Sequence, residues 1–132
     1  MKIFMIADDS PVIRKVARRI LEGFGIVVVE AEDGTHAQQL CMENMPDGIL
    51  VDWSMPGLDG IELISWLSRY PGAENTKIVY CTSQVMVSEM TRAKRGGAHA
   101  FLLKPFDRRM LAEKMAEIGI LDAATVSREI AA

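Results

Sequence analysis

Five polar residues stand where apolar runs of this 132-residue chain stop. Asp8 and Asp9 follow the run Lys2–Ala7, Asp52 follows Gly48–Val51, Thr82 follows Lys77–Cys81, and Lys104 follows His99–Leu103. Three carboxylates brought together repel one another and raise each other's pKa. A hard divalent cation such as Mg²⁺ relieves that repulsion, because it takes carboxylates, carbonyls and waters and leaves room for phosphate oxygens. An ammonium adds a point charge for a phosphate, and a threonine hydroxyl adds a neutral donor. Together these groups suit phosphoryl transfer, which demands in-line positioning and neutralisation of spread charge. A carboxylate can itself be the nucleophile and become an acyl phosphate. Each residue also has a plain structural reading: Asp9 as a helix cap, Thr82 as a turn residue, Lys104 as a solvated lysine before Pro105. The recurrence at four separate run ends favours one shared site.

The elements that must carry these residues alternate in period. After the first apolar run, Ser10 suits an N-cap and Pro11 a first helical position. Ile13, Val16, Ala17, Ile20, Leu21 and Phe24 then recur at helical spacing, with Arg14, Lys15, Arg18 and Arg19 on the other face. Gly23 and Gly25 end that helix. Ile26–Glu30 reads as a β-branched strand, Thr35–Asn44 as a helix, and Gly48–Val51 as a strand ending at Asp52. After the loop Met55–Gly60, Ile61–Arg69 reads as a helix and Lys77–Cys81 as a strand. Met86–Arg95 forms a helix with a thin stripe (Met86, Met90, Ala93). His99–Leu103 is the fifth strand, and Asp107–Ile118 is a fifth helix with Leu111, Met115 and Ile118 inward. Five strands alternating with five helices predict an α/β fold: a doubly wound parallel sheet covered on both faces. Ligands bind such sheets outside the carboxyl ends of the strands, so the five polar residues are expected to converge. The tail Ile120–Ala132 reads equally as a short helical piece, with Ile120, Leu121, Ala124 and Ile130 covering core, or as a frayed end.

Composition bounds the function. At 14.6 kDa the chain is one domain's worth, expected to bury about two-thirds of its surface. Hydrophobic residues at 49% and charged residues at 25% exclude disordered and fibrous classes. No apolar run spans a bilayer and no signal peptide is recognisable, so a cytoplasmic location is expected. Cys41 and Cys81 lie in apolar segments and read as reduced core residues. Two cysteines and two scattered histidines make no zinc site; His36 and His99 read as surface residues. A net charge of -3 argues against coating DNA.

The chain resembles the receiver domains of bacterial two-component response regulators, most of all the single-domain CheY-like ones. The resemblance rests on Ile6-Ala7-Asp8-Asp9-Ser10, Val51-Asp52-Trp53-Ser54-Met55-Pro56-Gly57-Leu58-Asp59-Gly60, Cys81-Thr82-Ser83 and Phe101-Leu102-Leu103-Lys104-Pro105-Phe106. It implies a flavodoxin-like sheet of order 2-1-3-4-5, with residues 1–118 as the receiver and 119–132 as a C-terminal tail. It implies that Asp52 accepts a phosphoryl group from a sensor histidine kinase or a histidine phosphotransfer protein. Mg²⁺ would be held by Asp9, Asp52 and the Ser54 backbone carbonyl, and by Asp8 through water. Lys104 would pair with phosphoryl oxygens, Thr82 would swing to them, and Phe101 would turn inward. Ser54 and Gln84 occupy the positions that tune the phosphorylated lifetime. Such a protein is not a turnover enzyme, although it can dephosphorylate itself. It acts as a monomer without a DNA-binding domain, by docking a downstream protein through the fourth helix, fifth strand and fifth helix.

Phe101 stands where motor-binding chemotaxis receivers usually carry Tyr, so it offers a partner no hydroxyl. Ser83 stands where many receivers have Ala. The basic residues of the first helix suggest kinase docking or a solvated face, and Arg92, Lys94, Arg95, Arg108 and Arg109 make the output face basic. Trp53 is expected beside the site, and the methionines read as core filling. A phosphotransfer intermediate or phosphate sink would share all of this chemistry. A phosphohydrolase with an Asp nucleophile would want a second carboxylate two residues on, where Ser54 stands.

Overall fold

A computed structural model describes residues 1–131. The elements are β1 (Ile3–Ala7), α1 (Pro11–Gly23), β2 (Val27–Ala31), α2 (Gly34–Glu43), β3 (Gly48–Asp52), α3 (Gly60–Arg69), β4 (Lys77–Thr82), α4 (Val87–Gly96), β5 (Ala100–Leu103), α5 (Arg108–Glu117) and α6 (Ala123–Ala131). All neighbouring strands pair in parallel, in the order β2-β1-β3-β4-β5. The chain leaves β1 toward β2 on one side and reaches β3 on the other, and the reversal opens a crevice at the carboxyl ends of β1 and β3.

Strand periodicity divides the core in two. Met5, Ala7, Ile49, Val51 and Tyr80 point to one face, where Ala37 and Cys41 of α2, Leu63, Ile64 and Leu67 of α3, and Ala93 of α4 cover them. Phe4, Ile6, Leu50, Val79 and Cys81 point to the other, under Ala17 and Leu21 of α1 and Leu111 and Met115 of α5. All five residues of β3 are buried, as befits a central strand covered on both sides. Ser10 caps α1 by accepting from the Ile13 amide, with Pro11 at the first position. Both cysteines are free and buried. No helix among the described residues is long and apolar enough to cross a membrane.

Three local expectations differ from the structure. Val16 is 42% exposed; it sits about 100° round the helix from Ala17, off the stripe that meets the sheet. Met86 is the N-cap of α4 and is 42% exposed, leaving Ala93 as that helix's one buried residue. The tail is a sixth helix where five were expected. Ile120 and Val126 are buried, Ala124 is exposed, and Arg108 of α5 reaches both the carboxylate and the backbone carbonyl of Glu129. Burial of Val126, with Ile120 anchored in the core just before it, is what holds a short helix that propensity alone would leave marginal.

Candidate functional site

The end of β1 delivers Asp8, 1% exposed, and then Asp9, which faces solvent; the last residue of β3 delivers Asp52, 3% exposed. One carboxylate oxygen from each lies within 4.8 Å of the others. From the end of β5, the Lys104 ammonium stands 2.9 Å from Asp52 Oδ1 and 2.7 Å from Asp8 Oδ2. The Lys104–Pro105 peptide is cis. Asp8 is held on two further sides: its Oδ1 accepts from the Ser10 amide at 2.9 Å, and its backbone carbonyl accepts from Arg14 at 2.7 Å.

Burial pushes the Asp52 carboxyl up to about 6; the Lys104 hydrogen bond opposes this, and the charges of Asp8 and Asp9 add to it. Burial works against the Lys104 charge, but the two carboxylates outweigh it and its pKa is raised. Asp8 Oδ2 is buried and meets the Lys104 ammonium at 2.7 Å, with no second donor beside it. Three carboxylates gathered around one ammonium carry an excess of negative charge, which suits a hard divalent cation with oxygen ligands.

The loop after Asp52 is fixed at its far end. Asp59 caps α3 by accepting from the Glu62 amide, and the Glu62 carboxylate accepts from the Asp59 amide in return. A Cβ on Gly60 would lie 2.6 Å from the Asp52 carbonyl oxygen and 2.9 Å from Trp53 Cα, so only glycine lets α3 start this close to the end of β3. Trp53 is half-buried and packs against the core, and Ser54 is exposed.

The structure thus gathers Asp8, Asp9, Asp52 and Lys104. Thr82 is buried on the adjacent strand, whose Cys81 pairs with Asp52. Its hydroxyl serves its own loop, donating to the Gln84 carbonyl and accepting from the Gln84 amide. Gln84 itself is exposed. Phe101 is half-buried, edge-on to Tyr80 with ring centroids 6.3 Å apart.

Some partners were not legible in the sequence. Glu30 takes both Arg18 at 2.7 Å and Arg14 at 3.1 Å, so two of the four basic residues of the α1 stripe are ion-paired. Hydrogen bonding to Glu30 raises the Arg18 pKa, and the reciprocal bond lowers that of Glu30. The available signal was a lone acid closing the β-branched run Ile26–Glu30, opposite arginines four residues apart. Arg108 lies over the Phe24 ring besides contacting Glu129, and Arg109 pairs with Glu113. Of the five basic residues assigned to the output face on α4 and α5, Arg92, Lys94 and Arg95 form no ion pair among the described residues. His99 is exposed, yet its Nδ1 accepts from the Ile78 amide; His36 is half-buried and its Nδ1 accepts from the Glu32 amide.

The family model of the response regulator receiver domain matches residues 4–116. The chain is 29% identical over 119 residues to the chemotaxis protein CheY of Pseudomonas aeruginosa, covering 89% of this chain and 95% of that protein. It is 31% identical over 117 residues to the chemotaxis protein CheY of Halobacterium salinarum, covering 89% and 96%. Among solved structures, the chemotaxis response regulator CheY4 of Vibrio cholerae matches with a TM-score of 0.85 at 26% identity, over 89% of this chain and 98% of that one.

Proposed function

The chain belongs to the response regulator receiver domain family, CheY-like in kind, and on that premise we propose that Asp52 accepts a phosphoryl group from a phosphohistidine. Receivers are typically phosphoacceptors rather than turnover enzymes. In the proposed step an Asp52 oxygen attacks phosphorus, a P–O bond forms and the P–N bond breaks. The imidazole nitrogen leaves with the electron pair and takes up a proton. The observation that carries this reading is the Lys104 ammonium 2.9 Å from Asp52 Oδ1, placed to follow charge as it moves onto the phosphoryl oxygens.

Asp9, Asp52 and the Ser54 carbonyl would hold Mg²⁺, with Asp8 behind a water; three clustered carboxylates beside a single ammonium support that set. When bound, the ion would neutralise charge on the phosphoryl oxygens. Thr82 would exchange its bonds to Gln84 for one to a phosphoryl oxygen, and Phe101 would follow it inward. The added charge, about -1.5 to -2, would then bias the α4–β5–α5 face between two packings, so that output passes by docking a protein partner. Ser54 and Gln84 flank the site and would set the rate of self-dephosphorylation.

Label transfer tests this reading. A phosphorylated histidine kinase or histidine phosphotransfer protein should pass its label to the wild-type chain and not to Asp52→Ala. Transfer to both would refute Asp52 as acceptor. Fast return of the label to the phosphotransfer protein would favour a relay intermediate or phosphate sink over an output regulator. A pull-down with the beryllofluoride-treated protein, compared with the untreated one, would identify the docked partner.

A further inference from the structure

Between α3 and α4 lies a cavity of about 190 Å³ lined by Trp53, Asp59, Tyr80, Glu89 and Arg92, among others. Tyr80 is 1% exposed, and its phenol is the polar end of an otherwise core-bound ring. Burial pushes that phenol up to about 12, with the charges of Glu89, Asp59 and Asp52 adding in that order, so it remains a donor at neutral pH. The phenol makes no hydrogen bond to protein among the described residues, and its oxygen is not sealed from solvent, so it opens onto the cavity. Asp59 is committed to capping α3. Glu89 and Arg92, three residues apart on α4, form no ion pair among the described residues.

Helix α4 is lightly held. Ala93 is its one buried residue, its N-cap Met86 makes no side-chain bond, and Val85 and Val87 are exposed. The loop leading into it is fastened by the reciprocal bonds of Thr82 and Gln84. Tyr80 and Thr82 are two apart on β4, so their side chains share one face of the sheet. A phenol donor, an uncommitted carboxylate, room between them and a weakly anchored helix therefore meet beside the Asp52 site.

We propose that Tyr80 is a positioning residue of the switch: its hydroxyl bonds Glu89 in one of two placements of α4 and so relays the state of the Asp52 site to that helix. The inference rests on Asp52 being the phosphoacceptor. The Thr82 hydroxyl has one proton to donate. Given to an oxygen at Asp52, it no longer reaches the Gln84 carbonyl, and the start of α4 is released. The cavity, several waters in volume, then admits the Glu89 carboxylate, and water is exchanged for a phenol–carboxylate bond of the charge-assisted kind. One such bond changes the ratio of the two placements by about fivefold or more.

The test is amide NMR of α4 with beryllofluoride and Mg²⁺ as the probe, Trp53 fluorescence reporting occupancy of the Asp52 site. Tyr80→Phe keeps the ring and its contact with Phe101, and thermal melting confirms that it folds. The expected result is equal occupancy in wild type and Tyr80→Phe, with the ratio of shifted to unshifted α4 in the variant reduced about fivefold. Glu89→Gln should reproduce part of the loss, and the double variant should lose less than the two single losses combined. Equal α4 responses in wild type and Tyr80→Phe overturn the role of Tyr80 and leave Asp52 standing. A wild type in which neither Trp53 nor α4 responds to the probe instead overturns the reading of Asp52, and the relay with it.

Discussion

Lys104 Nζ stands 2.9 Å from Asp52 Oδ1 while also lying 2.7 Å from Asp8 Oδ2, so one ammonium from β5 offsets two buried carboxylates from β3 and β1. Removing it leaves charge buried without a partner. Lys104→Met is expected to lower stability at neutral pH by about 1–3 kcal/mol and to raise the Asp52 pKa further. Urea denaturation and carboxyl ¹³C titration check both effects. An unchanged Asp52 titration would contradict this account of the pair.

Asp52 itself is expected to weaken the metal-free fold at neutral pH. Its folded pKa of about 6 lies above the ordinary aspartate value of 3.8, so the folded state holds its proton more tightly than the unfolded chain. The sign follows: stability falls as pH rises through the window from about 4 to 6, and the full cost, of order 3 kcal/mol, is present above it. Asp52→Asn should therefore raise the melting temperature at pH 7.5 and have little effect at pH 4. Paired melts in the absence of divalent ions give the comparison.

Glu30 behaves in the opposite way. Its pKa is lowered, first by the hydrogen bond from Arg18, so its contribution is present above the unfolded pKa and fades as pH falls through the folded one. Its side chain is 29% exposed and that of Arg18 42%, so solvent screens the pair and Glu30→Gln should cost below about 1 kcal/mol at pH 7. A larger loss would mean that the pair also sets the angle of α1.

Ile120 lies beyond the receiver boundary read at residue 118, yet it is 6% exposed and belongs to the core beneath α1 and α5. Ile120→Ala should cost about 2–4 kcal/mol, whereas Ala124→Ser on exposed α6 surface should be close to neutral. Equal effects in denaturant titrations would place the tail outside the cooperative unit.

What could be read without coordinates was local. A polar residue ending an apolar run marks a strand's carboxyl end, and parallel topology gathers such ends, so Asp8, Asp9, Asp52 and Lys104 were expected together. The misses concern which side of a helix meets what. The exposure of Val16 and Met86 depends on how far α1 and α4 roll against the sheet. The burial of Val126 in place of Ala124 depends on how the returning chain lies across α5. Glu30 and Tyr80 looked like ordinary strand residues, because what faces them, Arg14 and Arg18 for one and the cavity shared with Glu89 and Arg92 for the other, comes from neighbouring helices.

The most direct measurement is the intact mass of the protein after incubation with acetyl phosphate, with and without Mg²⁺, for wild type and Asp52→Ala. The account predicts a single phosphoryl adduct on wild type that requires Mg²⁺ and is absent from the variant. No adduct on wild type, or an equal adduct on Asp52→Ala, would contradict it.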